Sequence, residues 1–299
     1  MRALVAAEWF KVTRRPMTWI ALGILLAIMA TLRLLLIALS FVSLPSTPGQ
    51  EMPTNLFADL VTLPGAIADS VNFLPSTGIF ALLVVAASFA GTEFAWGTIV
   101  PLLARGASRT RFVLAKALVA LVVALLYLIA TTVVGLVLAA IASQLHHGQI
   151  PLEWLQRDWR EFLLALLRAY WATVPYVLAA LAIALVFRSS ALAMGMVLAY
   201  VIVEQVGLGV LQLLRPMIED SGFSWLFTLL DWTLLGQNAS TLQALNTRAF
   251  LPTGLAEQAT SGDLHPWRAA VVLAAYSFAF LLAALVALRR DIPTRPTSA

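Results

Sequence analysis

Apolar residues in this chain gather into six long runs, each bounded by polar, charged or proline-bearing stretches. The runs cover 17–42, 73–95, 112–143, 162–187, 191–213 and 267–288. Each is long enough to approach or exceed the ~20 residues that cross ~30 Å of hydrocarbon as a helix. Backbone polar groups inside hydrocarbon must be satisfied within the segment, so these runs are expected to be helical. A transmembrane β-barrel would instead show short alternating segments, and none is present. The third run, at 32 residues, makes a helix of roughly 48 Å, so its Lys116 end is expected to project from the bilayer. Ahead of the first run, residues 1–15 form an amphipathic pattern: Val5, Trp9 and Val12 share one face, while Glu8, Lys11 and Arg15 share the other. This predicts an interfacial helix, with Pro16 marking the turn into the first span.

Between the runs, 43–72 carries Pro45, Pro48, Pro53 and Pro64 and reads as irregular, with one short helix around Asn55–Val61. The segment 214–266 contains a 12-residue apolar run, Gly222–Thr233, too short to span and expected to be re-entrant or interfacial. An amphipathic piece, Ser240–Phe250, follows it.

Composition agrees with the pattern. Hydrophobic residues make up 61% of the 299 and charged residues 11%, with mean hydropathy +0.90, far from the roughly 25% charged of soluble domains. The fold class expected is all-α: a polytopic membrane protein with six transmembrane helices and an N-terminal interfacial helix. Charge sets the orientation. With the N-terminus in the cytoplasm, twelve Lys and Arg lie inside and six outside, whereas three acids (Glu8, Glu93 and Asp291) lie inside and eleven outside. Both termini are therefore expected in the cytoplasm, and the composition suits a bacterial plasma membrane.

The chemistry excluded is as informative. Zero cysteines remove thiolate metal sites and cysteine nucleophiles. The chain holds no Gly-x4-Gly-Lys-Ser/Thr phosphate loop, no His-Glu-x2-His and no Gly-x-Ser-x-Gly elbow. Adjacent His146 and His147 diverge on a helix and make a poor metal pair. No catalytic, cofactor or metal site is expected.

One polar patch remains. Gly91-Thr-Glu-Phe-Ala-Trp-Gly-Thr98 closes the second run, and Arg105, Arg109, Arg111 and Lys116 lead into the third. Arginine forks suit carboxylates on a partner. The spacing Glu-x3-Gly-Thr-x6-Arg-x3-Arg-x6-Lys resembles the cytoplasmic loop of permease subunits in the type-2 class of ABC exporters. That resemblance implies one permease domain over residues 1–299, with 96–111 as the coupling segment and 214–266 as an outer loop carrying re-entrant helices. It implies three kinds of partner: a separate ATPase subunit that binds ATP and Mg, a second permease subunit, and membrane lipid. No nucleic acid is implied. Carried onto this sequence, the coupling residues are Glu93, Gly97, Thr98, Arg105 and Arg109. Val100-Pro101 departs from the basic or polar residue that relatives often carry there. The implied function is export of an apolar or amphiphilic substrate, driven by the ATPase subunit.

Two charges lie within the spans. Arg33 is 16 residues into the first run and Glu204 is 13 into the fifth, so at ~1.5 Å per residue both sit roughly 20–24 Å deep. Uncompensated charge there costs ~2.5–3.5 kcal/mol on insertion scales, so either Arg33 and Glu204 form an ion pair, within a subunit or between two, or Arg33 snorkels outward while Glu204 faces a wet vestibule. Two other function classes compete. A membrane enzyme acting on lipid or peptide at the outer face would use Asp231, His146 and His147. An ion-coupled secondary transporter would show internal repeats and clustered intramembrane acids, which this sequence lacks.

Overall fold

In the computed structural model, residues 1–42, 56–97, 108–218, 224–251 and 265–288 are described. Among them every regular element is helical. In chain order these are α1 (Arg2–Arg14), α2 (Pro16–Leu39), α3 (Leu56–Val61), α4 (Ala66–Phe73), α5 (Ile79–Ala95), α6 (Arg109–His147), α7 (Glu153–Arg157), α8 (Trp159–Phe187), α9 (Ser190–Ile218), α10 (Ser224–Thr233), α11 (Leu235–Phe250) and α12 (Pro266–Ala287). Six stretches are long and apolar enough to cross a membrane: α2, Ala66–Ala95, α6, α8, Ser190–Val210 of α9, and α12. The expected all-α architecture, with six spans behind an N-terminal helix, is the one observed.

Local chemistry explains where the elements begin and end. Pro16 clashes with a helical conformation at the residue before it. Arg15 is accordingly extended, at φ −79° and ψ 121°, and separates α1 from α2. Gly148 closes α6 in the left-handed region, φ 68°, with its N–H on the Gln144 carbonyl at 3.0 Å. The second span starts earlier than hydropathy suggests. A wide π-helical turn, Leu74–Gly78, joins α4 to α5 into one rod, Ala66–Ala95. Pro75 lies in that turn, and the wider turn accommodates a residue that has no N–H to donate. The polar side chains of Asp69, Ser70, Asn72, Ser76 and Thr77 depress hydropathy along this stretch, so the apolar run alone begins at Phe73.

α8 is the central post. It packs against α12, α5, α9, α11 and α6. In the membrane-crossing windows of α8 and of Ala66–Ala95, 72% of residues are buried, against 22% for α2 and 17% for α12. The last two therefore lie at the periphery of the chain. Glycine permits the closest approach between spans. A Cβ at Gly91 on α5 would collide with the backbone nitrogen of Ser190, where α9 begins. The chain turns from α8 into α9 through Arg188, itself left-handed at φ 55°, so Ser190 has little freedom to retreat. Gly23 on α2, by contrast, has nothing within 4 Å of a Cβ among the described residues.

That contrast sets an expectation for purified protein in detergent. Gly91→Val overpacks the α5–α9 contact, a class of change that costs about 1–3 kcal/mol, and should lower the midpoint of heat-induced loss of the monodisperse gel-filtration peak. Gly23→Ala should leave that midpoint in place. Equal midpoints for the two variants would contradict the packing described.

Candidate functional site

The chain contains only two lysines, Lys11 and Lys116. Both end in one buried cluster where α1, α5 and α6 meet. The inward edge of α1 is Leu4, Val5, Glu8, Lys11, Val12 and Arg15, each partly or fully covered, which is the i, i+4, i+7 spacing of one helical face. Glu8 is 1% exposed. This corrects the helical-wheel expectation, which put Glu8 on the polar face opposite Val5 and Trp9. Glu8 is buried because α6 places an ammonium beneath it, and Trp9 and Phe10 are left exposed on the other side.

The charges alternate around a closed ring. Lys11 Nζ lies 2.6 Å from Glu8 Oε1 and 2.7 Å from Glu93 Oε1. Lys116 Nζ lies 2.8 Å from Glu8 Oε2 and 3.1 Å from Glu93 Oε1. Each acid meets both lysines. Lys116 has no exposed surface, and its third hydrogen bond goes to the Phe89 carbonyl at 3.3 Å. An ammonium has three donors and no acceptor, so Lys116 is fully used. It also stands over the rings of Phe89, at 4.2 Å, and Phe112, at 5.1 Å, which adds cation–π attraction. Arg15 closes the rim, donating to the Ser88 carbonyl at 3.4 Å and lying 5.4 Å from the Trp96 ring. Burial alone would lower the Lys11 ammonium; the hydrogen bonds to Glu8 and Glu93 and their charges outweigh it and hold the group above its ordinary value.

The other expected coupling positions divide. Gly97 turns the chain out of α5 at φ 65°, a backbone state that glycine adopts at little cost, with no other described residue within 4 Å of where a Cβ would stand. Arg109 opens α6 and donates to the Leu288 carbonyl at 3.0 Å, fastening the start of α6 to the end of α12. Thr98 and Arg105, with most of the 96–111 segment, lie outside the described residues. Lys116 was expected on a projecting tip; it is sealed inside the ring instead, because Glu8, Glu93 and two aromatic rings offer more than water does.

The expected ion pair between Arg33 and Glu204 is not formed within the chain. Arg33 binds Asp69 at 2.6 Å and also donates to the Ala66 carbonyl and to Ser70 Oγ. Glu204 accepts from Tyr176 at 2.9 Å, Tyr200 at 2.9 Å and the Gly236 N–H at 2.7 Å. The two charges share a depth but face different neighbours, since α2 packs on α6, α5 and α3 while α9 packs on α5, α8 and α11. His146 stacks on Phe41 with ring centroids 4.2 Å apart and meets Ser40 Oγ at 2.7 Å. Among the described residues no cluster of three metal-ligating side chains occurs.

Removing one member of a buried ion pair costs about 3–5 kcal/mol because its partner is stranded. Lys116→Ala and Glu8→Ala should each sharply lower stability in detergent. The double variant should be less damaged than the sum of the two by more than about 1 kcal/mol, the signature of direct contact. Simple additivity in that cycle would contradict the ring.

A comparison with curated proteins finds no match to this sequence. A protein-family model described as "ABC-2 family transporter protein" matches residues 4–204, two thirds of the chain, from within α1 to Glu204 on α9. With six membrane-crossing helices behind an N-terminal helix, the chain belongs to the ABC-2 family of transporter proteins.

Proposed function

We propose that this chain is the membrane-spanning permease subunit of an ATP-driven exporter. It couples hydrolysis by a separate ATPase subunit, which binds ATP and Mg, to export of an apolar or amphiphilic substrate. A second permease subunit completes the substrate path, and both termini face the cytoplasm of a bacterial plasma membrane. The single observation that carries the reading is the ring of buried charge at the base of the 96–111 segment. Glu93 stands just before that segment and Lys116 just after it, and α1 bridges them through Glu8 and Lys11. A surface loop that served only to fix topology would need no such foundation. A loop that another protein pushes does.

In this reading the ATPase pair, closing on nucleotide, displaces the segment between α5 and α6. Arg105 and Arg109 supply the forked donors at that contact, and Gly97 supplies the turn. The ring keeps the two helices and α1 from shearing against one another, so the displacement passes into the membrane as a rigid-body movement. The Leu-, Ala- and Val-rich helix faces and membrane lipid around them suit a cargo of low polarity.

The test is co-purification of this chain with an ABC ATPase subunit from the same organism. The complex should form, and its ATP hydrolysis should rise with some members of a panel of amphiphiles. Arg105→Glu should weaken co-purification at least tenfold. Glu93→Ala should keep basal hydrolysis while losing most of the amphiphile-dependent rise. A complex that hydrolyses and responds equally well with Glu93→Ala, or transport by the chain with no ATPase present, would overturn the reading.

A further inference from the structure

α11 lies against α12, α8, α4 and α9 and buries Leu235, Gly236, Asn238, Ala239, Thr241, Leu242, Asn246 and Phe250. Its two ends are held by different means. At the C-terminal end, Asn246 Nδ2 donates to Asn72 Oδ1 at 2.8 Å and to the Ala165 carbonyl at 3.2 Å. Asn72 in turn donates to the Gln243 carbonyl at 2.9 Å, and Arg168 donates to Asn246 Oδ1 at 3.4 Å. Two elements, α4 and α8, therefore grip this end through several hydrogen bonds, one of them from the Arg168 guanidinium.

At the N-terminal end, Leu234 supplies no side-chain cap. A carboxylate from another helix does the work: Glu204 of α9 accepts the Gly236 N–H. Glu204 is only 7% exposed, and among the described residues no Lys, Arg or His lies within ion-pairing distance of it. Its charge is compensated by two tyrosine hydroxyls, by one backbone N–H and by the positive end of the α11 dipole. Tyr176 of α8 and Tyr200 of α9 set its position. The fit is close, since a Cβ at Gly236 would stand 2.8 Å from the Glu204 carboxyl carbon. The two attachments are some ten residues, about 15 Å, apart along the helix.

We infer that Glu204 is a positioning residue that holds α11 closed at its N-terminal end, and that α11 opens as a flap about its Asn72–Asn246 end. Within α11 the N-terminal end is latched by one carboxylate acceptor, with the Tyr276 hydroxyl on the Thr233 carbonyl just ahead of the helix, whereas the asparagine end needs several bonds broken at once. This inference uses the transporter topology and is independent of how the ATPase couples.

The chain's lack of cysteine makes the test direct. Ala239→Cys reports on α11 near the latch, and Ala165→Cys reports beneath the asparagine end; both positions are buried. Full-length chain in intact cells and in inverted vesicles is labelled with a membrane-impermeant maleimide, and the side that reacts reads orientation separately. Glu204→Ala should speed labelling at position 239 at least tenfold and leave position 165 within about twofold. Gly236→Ala should reproduce this with Glu204 in place. Glu204→Gln should stay within about threefold of the parent, because its oxygen still accepts from Gly236 and Tyr200 while its amide donates to Tyr176. No acceleration at 239 in either Glu204→Ala or Gly236→Ala overturns the inference. So does an equal acceleration at both thiols, or a Glu204→Gln rate as fast as that of Glu204→Ala.

Discussion

Three buried charges beside a fourth at the rim can coexist only if each is matched, and the ring of Glu8, Lys11, Glu93 and Lys116 meets that condition by alternating sign around a closed circuit. The cost of stripping water from several ions is large, and good geometry with every donor used is what offsets it. Lysine suits this place better than arginine. A compact ammonium with three donors can touch two carboxylates and a carbonyl at once, as Lys116 does with Glu8, Glu93 and Phe89. Since no single member can leave without stranding a partner, α1, α5 and α6 are committed to one relative arrangement at this level. The cytoplasm-proximal end of the molecule, in the orientation proposed, depends on that commitment.

Two kinds of constraint then complement each other along the membrane normal. Around the ring, charge fixes three helices together. Within the bilayer, where apolar side chains gain little from leaving lipid, small residues and side-chain-to-backbone hydrogen bonds take over. Gly91 lets α5 meet the start of α9, and Gly135 on α6 leaves room for Met29 and Ser70. The Tyr170 hydroxyl reaches the Leu121 carbonyl at 3.1 Å, and Trp171 reaches that of Ala270 at 3.2 Å, tying the central α8 to α6 and to α12. At the far end, Glu204 and the Asn72–Asn246 pair attach α11. In the function proposed, a push on the segment after Glu93 would be received by several helices at once and delivered toward a loop helix whose two ends are unequally held.

Much of this was legible in the residues. Hydropathy finds six spans because the hydrocarbon core imposes one length on all of them, and Pro16 marks the first bend because its ring restricts Arg15. The second span was read short at its N-terminal end, since Asp69, Asn72 and Ser76 obscure a helix that other helices cover. The ring was not legible. Glu8 finds its partner 108 positions away in Lys116, and a helical wheel of α1 sees only that Glu8 shares a side with Lys11 and Arg15. One signal was available: the chain's only two lysines and two of the few acids assigned to the same side of the membrane fall near helix ends that adjoin. Arg33 and Glu204 show what depth alone does not give, since within one chain each has other partners. Counting residues gives depth, but pairing also requires azimuth, which the sequence of a single helix does not contain.

The central claim is mechanical: α1 and the base of the 96–111 segment move as one body. It is tested by spin labels at Ala7→Cys and Thr110→Cys, both exposed positions, in the complex with its ATPase and diluted with unlabelled chain so that only distances within one copy are read. The account predicts one distance distribution, unchanged between the nucleotide-free and ATP-bound complexes. A shift of several ångströms in that distribution on nucleotide binding would show that α1 slides against α6, and the ring would not be the joint described.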